Sequence, residues 1–171
     1  DIYYQNNVEG TISLLNAMEN STTRKIIFSS SAAVYGTPRE LPIKETHPLS
    51  GNNPYAKTKI YIENLLKEKC SASKKWQAAI LRYFNAVGAH PSGLIGENLK
   101  DLNHNLIPCI AKVALEKQKQ LNICGTNYPT DDGTGVRDYI HVMDLAKGHL
   151  KAFNSLKKKK HFIINLGTGS G

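Results

Sequence analysis

Apolar residues spaced three and four apart open the chain: Val8, Ile12, Leu15 and Met18 mark one face of a helix predicted over residues 5–19. A short apolar run, Ile26-Ile27-Phe28, then breaks into Ser29-Ser30-Ser31. That pattern predicts a buried strand with a polar carboxyl end. Helical spacing returns in "NPYAKTKIYIENLLKEKC" (53–70), where Pro54 suits the first turn and Ile62, Leu65 and Leu66 share a face. "WQAAILRYFN" (76–85) reads as a second strand, and the Gly- and Pro-rich "AVGAHPSGLIGENLK" (86–100) as a loop. Leu106, Ile110, Val113 and Ala114 again follow helical spacing. "QLNIC" (120–124) and "RDYIHV" (137–142) read as short strands, a helix begins near Asp144, and "HFIINLG" (161–167) closes the series as a strand.

Strands alternating with helices predict an α/β fold, a Rossmann-like doubly wound parallel sheet with helices on both faces. Ligands of such sheets sit beyond the carboxyl ends of the strands. This draws attention to the serines at 29–31 and to Asn85. The shorter elements between about 86 and 140 predict a smaller lobe that covers a substrate. The division is therefore 1–85, part of a nucleotide-binding domain, and 86–171, mostly the lobe, with strands and a helix returning to the sheet.

Composition narrows the class. The chain has 171 residues, 40% hydrophobic and 21% charged, which suits one folded globular unit. No apolar run approaches the roughly 20 residues of a membrane span. Cys70, Cys109 and Cys124 fit neither a zinc spacing nor a disulfide framework, so reduced core thiols in a cytoplasmic protein are expected, with no metal. The formal net charge is +8. Part of the excess lies in Lys157 to Lys160, which lack interleaved aromatics and read as a solvated turn rather than a nucleic-acid patch.

Within the second helix, "NPYAKTK" places Tyr55 and Lys59 four apart on one face. With 8 Tyr and 22 Lys+Arg, chance yields about one such spacing, so the setting has to carry the argument. A phenol near pKa 10 is a poor base at neutral pH. A neighbouring ammonium favours the phenolate and brings it toward the working range. A hydroxyl at the nearby strand end, such as Ser31, could hold a substrate oxygen or share its proton. Tyr55, Lys59 and Ser31 thus form a proton-handling unit for oxidising an alcohol, and hydride acceptance requires an organic cofactor.

"SSSAAVYG", "NPYAKTK", "LRYFNAVGAHPSG" and "YPTDDGTGVRDYIHVMDLA" together resemble the extended short-chain dehydrogenase/reductase family, over Asn6 to Gly169. The last two motifs are far more specific than the Tyr-x-x-x-Lys. Sugar-nucleotide dehydratases of the family carry Thr-Asp-Glu at the strand end, where this chain has Ser31-Ala32-Ala33, so the resemblance implies epimerisation rather than dehydration. It implies the reversible interconversion of UDP-glucose and UDP-galactose through NAD-dependent oxidation at sugar C4, turning of the 4-keto sugar and re-reduction. Tyr55 would be the base, Lys59 would tune it and hold the nicotinamide ribose, and Ser31 would bind the 4-oxygen. Asn6 and Phe84 match cofactor-contacting positions. Asn85 and Asn105 match UDP-sugar contacts, Asn122, Ile123 and Cys124 the lining of the base, and Arg137 an arginine on the diphosphate. A guanidinium fork suits that last role, against a salt bridge to Asp131 or Asp132. The family also implies a homodimer, with helices 5–19 and 54–70 as the contact surfaces.

The family's Gly-x-x-Gly-x-x-Gly turn is not in this chain. "NLGTGSG" (165–171) follows a strand and looks like a phosphate loop, but a lone glycine cluster is weak evidence, and the resemblance makes it a strand exit. The chain therefore reads as an internal fragment, expected to be inactive alone. Ala86 and Cys124 stand where the family usually has proline and an aromatic. The competing readings are a related epimerase of N-acetylated or uronic UDP-sugars and, in another class, a basic nucleic-acid-binding module. Salt-sensitive binding indifferent to Tyr55 would mark the second.

Overall fold

A computed structural model describes residues 2–97 and 105–171. The chain enters through a π-helical segment, Tyr4–Glu9, that runs directly into α1 (Gly10–Glu19). The predicted α-helix over 5–19 is thus π-helical in its first part. Strand β1 (Lys25–Ser31) follows and ends in a short 3₁₀ turn, Ala32–Tyr35. Helix α2 (Pro54–Ala72) starts on Asn53, whose side chain accepts from the Ala56 amide at 2.8 Å, with Pro54 in the first turn. Then come β2 (Gln77–Tyr83), β3 (Asn85–Val87), α3 (Leu106–Ala114), β4 (Tyr139–His141), α4 (Val142–Ser155) and β5 (His161–Leu166).

The main sheet is parallel throughout, ordered β1-β2-β5, with Ser31 opposite Tyr83 and Tyr83 opposite Leu166. The period of two along β2 sorts its side chains between two apolar layers. Ala78 and Ile80 pack with Leu15 and Met18 of α1, Ile62, Leu66 and Cys70 of α2, and Trp76. Ala79 and Leu81 pack on the opposite face with Ala152 and Leu156 at the end of α4. Helices therefore cover both faces, as the alternation predicted, and α2 starts at the carboxyl ends of the strands.

Three expectations are revised. "QLNIC" is not a strand: 120–124 has no regular structure and no pairing partner among the described residues, and Ile123 is exposed. The second strand stops at Tyr83, because Asn85 leaves the main sheet and joins β4 in a separate parallel pair. Of the cysteines, only Cys70 is in the core, while Cys109 is half-buried and Cys124 exposed. The loop predicted over 86–100 holds in its described part beyond Val87, and its last three residues lie outside the described ones.

Candidate active site

The carboxyl ends of β1 and β2 and the first turns of α2 meet at one edge of the sheet. Ser31 ends β1, where its hydroxyl oxygen accepts from the Ala33 amide at 3.2 Å and caps the 3₁₀ turn. Tyr55 lies in the first turn of α2, half-buried, with the Tyr3 ring edge-on at 5.8 Å. One turn on, the Lys59 ammonium donates to the Ser29 carbonyl at 2.9 Å and sits over the rings of Phe28 and Tyr55, at 5.0 and 5.4 Å from their centroids. Tyr55, Lys59 and Ser31 thus converge, and neither Tyr55 nor Lys59 points into bulk water.

The electrostatics correct one expectation. Burial raises the Tyr55 pKa above 10.0; Tyr83 and Tyr3 add to the rise, and a hydrogen bond from the Ser31 hydroxyl opposes it. Lys59 does not bring the phenol down, because its ammonium faces the ring and is bonded to the Ser29 carbonyl rather than to the phenol oxygen. Burial also lowers the Lys59 pKa below 10.5. In the polypeptide itself desolvation wins, and the phenol stays protonated at neutral pH.

The other candidates scatter more widely. Phe84 is half-buried beside the strand exit, donating its amide to the Leu166 carbonyl at 3.1 Å. Asn6 is exposed on the π-helical segment, while its neighbour Asn7 donates to Thr58 at 2.9 Å and fastens that segment to α2. Asn85 donates both its amide and its side chain to the Asp138 carbonyl, at 3.1 and 2.9 Å. Asn105 precedes α3 without a side-chain cap, and Asn122, Ile123 and Cys124 are exposed. Arg137 is exposed and donates to the Val136 carbonyl at 2.7 Å. Among the described residues it forms no salt bridge with Asp131 or Asp132; Asp132 instead accepts from the Thr134 amide and hydroxyl, both at 2.8 Å.

The glycine-rich stretch is already filled. One oxygen of the Asp138 carboxylate accepts from the Thr168 amide at 2.8 Å and hydroxyl at 2.9 Å, and the other from the Gly169 amide at 2.9 Å. A carboxylate occupies the donors that a phosphate would need, so this is a strand exit.

Sequence reasoning missed a buried polar cluster behind the site: Ser30, Glu63, Arg82, Tyr35 and Asn165. Its signal was present as two charged residues inside apolar patterns, Glu63 beside Ile62 and Arg82 after Leu81.

A parallel sheet with helices on both faces, and a Tyr–Lys–Ser set at the carboxyl ends of its strands, defines a Rossmann-type protein of the short-chain dehydrogenase/reductase class. The NAD dependent epimerase/dehydratase family matches residues 1–167, and the chain belongs to that family. It is 53% identical over 171 residues to a UDP-glucose 4-epimerase of Dictyostelium discoideum, covering 99% of this chain and 50% of the relative. It is 52% identical over 170 residues to one from Bacillus subtilis, with the same 99% and 50% coverage. The UDP-glucose 4-epimerase of Bifidobacterium longum, solved in complex with NAD+ and UDP, superposes with a TM-score of 0.92 at 51% identity, over 98% of this chain and 50% of that one. The chain spans about half the length of the curated relatives it matches. No described helix is long and apolar enough to cross a membrane.

Proposed function

We propose that this chain carries the proton-handling core of an NAD-dependent enzyme that interconverts UDP-glucose and UDP-galactose, cytoplasmic and homodimeric at its full length. The observation that carries the reading is the convergence of Tyr55, Lys59 and Ser31 at one sheet edge, in a chain about half identical to UDP-glucose 4-epimerases.

The residues present fit one part of the cofactor. The Lys59 ammonium, half-buried and with donors beyond the one given to the Ser29 carbonyl, suits ribose hydroxyls. Phe84 offers an aromatic wall at the same edge, and Asn6 and Tyr55 complete the contacts from this chain. The glycine-rich exit does not fit the pyrophosphate, since Asp138 holds its amides. When bound, NAD supplies reversible hydride acceptance at sugar C4.

The protein's share is proton transfer and orientation. Tyr55 takes the proton of the 4-hydroxyl and returns it to the 4-oxygen after the keto sugar has turned, while Ser31 holds that oxygen. The raised phenol pKa makes Tyr55 a competent acid in the returning direction and requires positive charge from the bound complex in the forward one. Arg137, free of Asp131 and Asp132, is the diphosphate contact. Asn85 and Asn105 hold the sugar nucleotide, and Asn122, Ile123 and Cys124 line the base. Residues 1–85 belong to the nucleotide-binding domain and 86–171 mostly to the substrate lobe, with α4 and β5 returning to the sheet. The outward side chains of Ile12, Leu14 and Tyr61 on α1 and α2 support a helical dimer contact.

The test is conversion of UDP-galactose by the protein at the full length of its relatives. Tyr55→Phe should lower kcat by about 10²–10⁴-fold, the scale of a positioned acid–base group, and leave UDP-sugar affinity intact. Wild-type protein that fails to convert, or a Tyr55→Phe variant that turns over normally, overturns the reading.

A further inference from the structure

Behind the Tyr55–Lys59–Ser31 set lies a second polar cluster that none of the steps above uses, and it is in register with the first. Glu63 follows Lys59 by one helical turn, Ser30 precedes Ser31, and Arg82 lies opposite Ser30 across the β1–β2 ladder. Glu63 is 0% exposed and Arg82 1%. One Glu63 oxygen accepts from the Ser30 hydroxyl at 2.6 Å and from Arg82 Nε at 2.9 Å; the other accepts from Arg82 Nη2 at 2.5 Å. Arg82 Nη1 donates to the Tyr35 hydroxyl and to the Glu45 carbonyl, both at 3.0 Å. Tyr35 donates to Asn165 Oδ1 at 2.6 Å, and Asn165 Nδ2 to the Ile43 carbonyl at 2.9 Å. The Asn165 backbone amide also donates to Glu45 Oε1 at 2.9 Å. Among the described residues no buried side-chain nitrogen or oxygen lacks a partner.

An ion pair this deep is a poor device for stability, since well-packed apolar residues of similar volume often do as well or better. What it adds is direction. Apolar contacts let a helix slide by a fraction of a turn, whereas a bidentate fork with a third donor fixes both register and rotation.

We propose that Glu63 and Arg82 are positioning residues for the proton-handling set. They pin α2 against the ends of β1 and β2, which keeps the Tyr55 phenol at Ser31. Through Glu45, Tyr35 and Asn165 they also tie the strap of residues 37–50 across the ends of β2 and β5. The inference rests on the function proposed above.

The discriminating variant is Glu63→Leu/Arg82→Met in the full-length protein, which removes both charges and keeps the bulk. The expected result is a thermal midpoint near that of the wild type and a kcat about 10–100-fold lower, because a misplacement of about 1 Å costs on that order. The KM for UDP-galactose should stay within about threefold, since ground-state contacts are untouched. Amide hydrogen exchange should quicken over 37–50 and the first turns of α2. A kcat that recovers together with the midpoint overturns the proposal and leaves a purely structural pair. Should the double variant fail to fold, Ser30→Ala decides. A kcat lowered about 3- to 10-fold at constant KM, the scale of one hydrogen bond, supports the proposal, and an unchanged kcat overturns it. The exchange measurement needs no turnover. Wild-type protein that cannot convert UDP-galactose therefore sinks the epimerase reading alone, while unchanged exchange in a well-folded double variant sinks the positioning role.

Discussion

The stretch from β1 to β2 and the stretch from 86 to 140 are built on different principles. In the first, five consecutive residues of β2, Ala78 to Arg82, are buried, and the candidate proton-handling groups stand on a strand end and on a capped helix packed against it. In the second, only Pro108 and Ile140 are buried among the described residues, and Asn105, Asn122, Ile123, Cys124 and Arg137 all lie exposed. Side chains that must meet within tenths of an ångström sit on rigid elements, because the core fixes them before any ligand arrives. The side chains proposed to contact a sugar nucleotide lie instead on exposed segments outside that core.

Perturbing each region should expose the contrast. The largest effect on stability is expected from Arg82→Met alone, which strips buried Glu63 of its guanidinium and leaves it the Ser30 hydroxyl at 2.6 Å and the Lys67 ammonium at 3.8 Å. Breaking such a pair costs about 3–5 kcal/mol, read as a lowered midpoint in urea unfolding. Next comes Gly167→Ala, whose added carbon would stand 2.5 Å from the Asp138 carboxylate and 2.9 Å from the Phe84 ring. Overpacking of this kind costs about 1–3 kcal/mol, and the thermal midpoint checks it. Ile123→Ala marks the other extreme: at 67% exposure it should leave the midpoint unmoved, and a marked fall would mean the lobe is packed after all.

A subtler test uses pH. Burial lowers the Lys59 pKa, so between that lowered value and 10.5 the unfolded chain binds the proton more tightly than the folded one. Stability therefore rises with pH through that window. Tyr55 acts in the opposite sense: its pKa lies above 10.0 in the folded state, so its contribution is lost as pH climbs through the raised value. Lys59→Met should flatten the rise and leave the fall. Thermal midpoints taken at intervals across the alkaline range measure both slopes.

The layers of the fold and the shared helical face of Tyr55 and Lys59 were legible because each depends on short-range pattern, whereas Ser31 came from the rule that ligands sit at strand ends and from the family resemblance. Apolar spacing gave the elements, Pro54 the first turn of α2, and alternation placed the helix start at the strand end. The environment of the phenol was not legible. Spacing puts Lys59 on the same helical face as Tyr55, yet whether its ammonium points to the hydroxyl or over the ring depends on the Ser29 carbonyl, which belongs to another element. "QLNIC" failed for a related reason: five residues carry β-propensity, but a strand exists only where a neighbour accepts its hydrogen bonds. The Glu63–Arg82 pair joins residues 19 apart in sequence, a distance at which charge pattern says nothing about contact.

Asp138 carries one further consequence. By saturating the amides of Thr168 and Gly169 from within, the polypeptide silences a turn that would otherwise compete for oxyanions close to the working edge. On the proposed reading, a nucleotide gripped by Arg137 meets no rival dock in that turn, and the decoy is removed by a side chain that never leaves.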